Sequence, residues 1–96
     1  MKKYKINNNE YELIKDKDDI FNYEEVSSLV TDYFDDFDYI MGDMSYGKIR
    51  LKGFNDKKNK NYKKINSIES LDDYLKKYCA YKAKYFLLKK VQKALK

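Results

Sequence analysis

Hydrophobic and polar residues alternate around an Asn-rich turn in KYKINNNEYEL (residues 3–13): Tyr4 and Ile6 precede the turn, Tyr11 and Leu13 follow it. A period of two is that of a strand with one buried face, so this stretch predicts one or two short strands. KDKDD (residues 15–19) follows as a solvated connection. From Asn22 the period lengthens, and Val26, Leu29, Val30, Tyr33, Phe34 and Phe37 fall at the steps of an amphipathic helix. Asn22 is placed to cap that helix, and Glu24 and Glu25 suit the positive end of its dipole. Asp32, Asp35 and Asp36 lie off the stripe or near the helix end, where solvation rather than metal binding is expected.

The stretch YIMGDMSYGKIRLKGF (residues 39–54) returns to a period of two. A two-residue turn at Tyr46-Gly47, with Gly supplying the positive φ, makes it a β-hairpin. Its cross-strand pairs are then Ser45–Lys48, Met44–Ile49, Asp43–Arg50, Gly42–Leu51, Met41–Lys52, Ile40–Gly53 and Tyr39–Phe54. One face carries Ile40, Gly42, Met44, Ile49, Leu51 and Gly53; the other carries Tyr39, Met41, Asp43, Lys48, Arg50, Lys52 and Phe54. A slip of one residue would bury Lys and Arg, so the parity is fixed.

NDKKNKNYKK (residues 55–64) reads as a polar loop, after which Ser67 or Ser70 can cap a second helix. Asp73 completes a Ser-x-x-acid pattern at Ser70, and Ile68, Leu71, Tyr74, Leu75 and Tyr78 form the apolar stripe. The last segment, AKYFLLKKVQKALK, fits either a helix or a buried strand. Because two helices already supply a covering layer and the sheet needs a central strand, a strand to about Val91 is favoured. Residues 92–96 are then a basic tail expected to fray. The expected fold is a small α+β domain over residues 1–96: a mainly antiparallel sheet of about four strands with two helices packed on one face.

Composition narrows the chemistry. The chain has one Cys, Cys79, and no His, which excludes an internal disulfide, multi-thiolate zinc sites, and Ser–His or Cys–His catalysis. No constellation for catalysis, cofactor or metal binding is recognisable, so a non-enzyme is expected. No apolar run is long enough for a membrane span and the Lys-rich start has no apolar segment behind it, so a cytoplasmic location is expected.

The net charge of +5 is divided unevenly. Residues 1–47 carry 5 cations and 12 anions, net −7; residues 48–96 carry 16 and 4, net +12. Such asymmetry fits a nucleic-acid or membrane-surface partner. The Lys excess, with a single Arg and no Pro or Trp, also fits the codon bias of an A+T-rich coding sequence.

Several residues carry the candidate chemistry. Asp43 faces Arg50 and is expected to orient it and fix register. Gly42, Gly47 and Gly53 lie in strands and a turn, without the context of a phosphate loop, and read as structural: close packing, a bulge or a turn. Cys79 follows a helical face and reads as a buried thiol. Lys48, Arg50 and Lys52, interleaved with Tyr39 and Phe54, could attract phosphates and stack an unpaired base. Lys57, Lys58 and Lys60 would extend that positive field.

DYIMGDMSYGKIRLKGF together with LDDYLKKYCAYKAKYFLLKKV resembles the YutD-like family, small proteins of low-G+C Gram-positive bacteria and their wall-less relatives. The similarity runs from about Asp38 to Val91. Where the family often has Trp after Gly-Asp, this chain has Met44. The resemblance implies an α+β fold and lends no catalytic residues. Two functions remain in view: an RNA-binding or ribosome-associated module acting through the cationic and aromatic sheet face, and a protein-interaction adaptor for which the acidic first helix is a candidate surface.

Overall fold

The computed structural model describes residues 2–78 and 84–91. Cys79 and the tail 92–96 lie outside the described residues. Five strands form one antiparallel sheet: β1 (Lys3–Ile6), β2 (Asn9–Asp16), β3 (Tyr39–Ser45), β4 (Lys48–Phe54) and β5 (Tyr85–Lys90), in the order β1-β2-β5-β3-β4. The Asn-rich turn joins β1 and β2 through Asn7 and Asn8, both left-handed (φ 50° and 69°), a conformation Asn adopts more readily than most side chains. Among the described residues the sheet therefore has five strands rather than about four.

The last segment is a strand, and it is the central one. β5 pairs with β2 on one side and β3 on the other, bringing the chain's two ends into one ladder. The β3–β4 hairpin has all seven of the cross-strand pairs expected from its sequence. Its turn, with φ of 52° at Tyr46 and 77° at Gly47, is of the twisted two-residue type that matches strand twist.

The two helices lie on opposite faces, not on one. α1 (Tyr23–Leu29) and the chain after it cover the face holding Ile6, Tyr11, Ile40, Ile49, Phe86 and Leu88, contributing Val26, Val30 and Phe34 to that core. α2 (Leu71–Tyr78) covers the other face, where Leu71, Tyr74 and Leu75 pack against Met41, Phe54 and Leu87. The reason lies in β5. Phe86, Leu87 and Leu88 are consecutive and all buried, and a strand apolar on both sides needs cover on both.

The first helix is also shorter than its stripe. α1 ends at Leu29, Val30 turns extended (ψ 121°), and a 3-10 helix runs over Asp32–Asp36. β-branched residues at positions 30 and 31 favour the break, and the Thr31 hydroxyl accepts from the Tyr33 amide at 3.4 Å, offering the backbone a local alternative. Val26, Val30 and Phe34 stay inside; Leu29 and Tyr33 do not. Asn22 caps α1 as expected, its side chain accepting from the Glu25 amide at 2.9 Å. Ser67 caps a 3-10 turn (Ile68–Ser70) that leads into α2.

Candidate interaction surface

The hairpin's cationic face is not one open surface. At its tip, Lys48 is exposed and Arg50 is half-exposed, beside the outward-facing Met44 and Tyr46. Arg50 is held by a two-pronged contact with Asp43: Nη2 donates to Oδ2 at 2.6 Å and Nε to Oδ1 at 3.2 Å. The pairing follows the expected register. Asp43 is only 4% exposed, flanked in the sheet by Arg50 on β4 and Tyr85 on β5.

In the middle of the face, Lys52 lies over two rings, its Nζ 5.4 Å from the Phe54 centroid and 5.3 Å from that of Tyr74. Phe54 itself is fully buried, with Tyr74 edge-on to it at 5.8 Å. A ring enclosed in this way cannot stack a nucleobase, so Phe54 belongs to the core and not to a binding platform. The expectation failed because the apolar stripe of α2 and the aromatic on β4 are complementary, and burying both is worth more than leaving either wet.

At the base of the hairpin, Tyr39 is half-buried and lines a cleft of about 800 Å³. Lys58 and Lys60 reach this cleft from the loop, and Lys89 and Lys90 from β5. Glu12, Asp35, Asp36, Asp38 and Asp56 line it too, so its walls carry five carboxylates against four ammonium groups. Lys57 points elsewhere and forms an exposed ion pair with Glu69 at 3.4 Å.

Three buried or partly buried side chains organise the loop, and the sequence did not single them out. Asn55 is fully buried, and its Oδ1 accepts from the Asp38 amide (2.9 Å) and from Asn59 Nδ2 (3.1 Å). Asp38 in turn accepts from the Asp56 amide (2.9 Å) and Asn59 Nδ2 (3.1 Å). The main chain of Asn55 bridges to the segment before α2, donating to Asn66 O at 2.7 Å and accepting from Ile68 N at 2.9 Å. The available signal was an Asn directly after a strand, where a short amide can satisfy loop backbone groups.

A second cleft, of about 760 Å³, flanks the C-terminal half of β4. Leu51, Lys52 and Gly53 line it from the strand, Tyr33 and Phe37 from the chain after α1, and Tyr62, Ile65 and Tyr74 from the loop and α2. Tyr33 and Ile65 are 67% and 79% exposed. The approach of Gly53 to Phe37 is close enough that a Cβ there would overlap the ring. Among the described residues no group of three or more His, Cys, Asp or Glu side chains is placed to hold a metal ion, and no helix is long and apolar enough to cross a membrane.

These features define a class: an antiparallel α+β protein whose sheet is covered on both faces and whose open β4 edge is cationic. The comparisons place it more closely. Residues 5–89 match the family described as "Putative antitoxin YutD-like". The chain is 40% identical over 88 residues to the Bacillus subtilis (strain 168) protein described as "Putative antitoxin YutD", covering 92% of this chain and 97% of that one. It is also similar to the solution NMR structure of protein yutD from B. subtilis, with a TM-score of 0.79 at 36% identity, covering 100% of this chain and 87% of that chain. The chain belongs to the YutD-like family.

Proposed function

We propose that this chain is a non-catalytic, cytoplasmic protein-binding module whose working surface surrounds β4. The observation that carries this reading is the set of exposed apolar side chains around a cationic strand: Tyr33 and Ile65 beside the second cleft, and Met44 and Tyr46 at the hairpin tip. Aromatic, Met and Arg side chains are the types enriched where proteins meet. The description of the B. subtilis relative as a "Putative antitoxin" fits a protein that acts by engaging another molecule rather than by turning over a substrate. The experiment is affinity capture from the native cell with and without nuclease, using the parent and a Tyr33→Ser/Ile65→Ser variant. A specific protein partner that survives nuclease and is lost from the variant supports the reading; capture that nuclease abolishes overturns it.

The exposed lysines of the 55–64 loop favour a second reading, binding to RNA or the ribosome. Lys57, Lys58 and Lys60 are all exposed and share the loop with the half-buried Tyr62. Each phosphate contact to a single strand steepens the log-affinity against log-salt line by about 0.7. Changing these three lysines to Gln would then flatten it by about 2. Fluorescent single-stranded RNA titrated at several salt concentrations reads this directly.

A further inference from the structure

β4 is an edge strand, and its hydrogen bonding is half used. Lys90 N donates to Asp38 O at 2.7 Å, which turns the Asp38 carbonyl, and with it Ile40 and Gly42, toward β5 and leaves Tyr39, Met41, Asp43 and Ser45 turned toward β4; the Asp38 amide, just before β3, donates instead to Phe54 O at 3.1 Å. Their partners Phe54, Lys52, Arg50 and Lys48 therefore spend their amides and carbonyls on β3. The main-chain groups of Ile49, Leu51 and Gly53 point the other way, and none has a hydrogen-bond partner among the described residues. The next outward residue, Asn55, is paired, through a parallel bridge to Ser67. The chain thus adds a short strand of its own to this edge for one residue, and because Gly53 is buried against Phe37 the open stretch runs from Ile49 to Leu51.

We infer that the outer edge of β4, from Ile49 to Leu51, accepts an extended acidic segment of a partner protein in which carboxylates alternate with aliphatic side chains. This deepens the protein-binding reading and rests on it. Three observations set the chemistry. The open amides and carbonyls ask for a strand, because a helix brings no free main-chain groups. Lys48, Arg50 and Lys52 follow one another on one face at intervals of about 7 Å, so the residues added beside them on that face should be acidic. Ile49 and Leu51 lie on the opposite face, where the incoming side chains continue the apolar core. The second cleft, lined by Leu51 and Gly53 and walled by Tyr33 and Phe37, gives that strand a place to anchor.

A second copy of this chain fits poorly. Two β4 strands meeting edge to edge about a twofold axis pair residues of like parity, so Lys48, Arg50 and Lys52 of each copy would stand against those of the other. Like charges directly opposite destabilise a sheet, so the cations that attract an acidic strand also bar self-pairing.

The test uses the full chain, ¹⁵N-labelled, with a short synthetic peptide in which Glu and Val alternate, and a control in which Lys replaces Glu. The acidic peptide should slow amide exchange at Ile49 and Leu51, while Arg50 and Lys52, already bonded to β3, change little. Lys48→Glu/Lys52→Glu should weaken the acidic peptide about tenfold or more and make the basic control the better ligand. Because Lys52 packs on two rings, Lys48→Glu alone serves as the second variant and should shift the preference in the same direction by less. Acidic-peptide binding that leaves those two amides unprotected, or no binding up to millimolar peptide, overturns the edge site. A nuclease-resistant partner would in that case still leave the protein-binding reading standing. Protection of the same amides by single-stranded RNA but not by peptide overturns both.

Discussion

The ring of Phe86 fills the space that a side chain at Gly42 would need: a Cβ there would lie inside van der Waals contact with the ring's outer carbons. The two residues are cross-strand partners, Gly42 on β3 and Phe86 on the central β5, and Phe86 is fully buried. Gly42→Ala should therefore overpack the core and cost about 1–3 kcal/mol. Chemical denaturation of the variant reads this as a lower midpoint. Phe86→Leu in the same chain should recover part of the loss if the overlap is the cause, because neighbouring changes couple.

Asp43 and Arg50 are unequal partners. The carboxylate is inside, and about half of the Arg50 side chain is in solvent. Arg50→Met removes a two-pronged partner from a buried anion, whereas Asp43→Asn releases a guanidinium that water can serve. Arg50→Met should thus be the more destabilising change, by about 1–2 kcal/mol relative to Asp43→Asn. Denaturant curves for the two single variants and the double variant measure the difference and the coupling. Equal losses would show that Asp43 is better solvated than its burial implies.

Phe54→Ala should act on stability before it acts on binding. Emptying a fully buried aromatic site costs about 3–5 kcal/mol and would leave Tyr74 and Lys52 without the ring they pack on. A small domain is marginal enough that the variant should be largely unfolded at moderate temperature. Thermal unfolding followed by circular dichroism checks this. Leu51→Ala, at a half-buried position on the other face, should fall near the lower end of the range for such changes, about 2 kcal/mol.

Tyr11 carries the pH prediction. Its hydroxyl is buried with no hydrogen-bond partner among the described residues. Burial first, and the Asp35 carboxylate second, push its pKa from the ordinary 10.0 up to about 12, with Asn9 acting weakly the other way. The folded state then keeps a proton that the unfolded chain sheds. Stability is accordingly unaffected below pH 10 and falls between pH 10 and about 12. Tyr11→Phe should remove this part of the alkaline loss and be near-neutral at pH 7, since no bond is broken. Unfolding free energies measured from neutral to alkaline pH on both proteins test it; parallel profiles would exclude Tyr11 as the cause.

Local pattern carried the hairpin completely. Its register, turn and the parity of its faces follow from a period of two, one Gly at a positive-φ position and the cost of burying three cations, all properties of sixteen neighbouring residues. Asn22 as a cap and the Asn-rich first turn were likewise legible, because each depends on short-range stereochemistry; the final apolar run fitted a helix or a strand, and only the sheet's need for a central strand favoured the strand it forms. Tertiary packing decided the rest. Which face each helix covers depends on a match between Phe54 and Tyr74, twenty residues apart in the chain, and no periodicity encodes that choice. The same docking took Phe54 out of solvent and divided the cations into a tip, a middle and a base. The Asn55 network and the open edge of β4 also exist only in the fold, because a strand becomes an edge when nothing pairs beside it, and that is a property of the whole sheet order rather than of the strand's own residues.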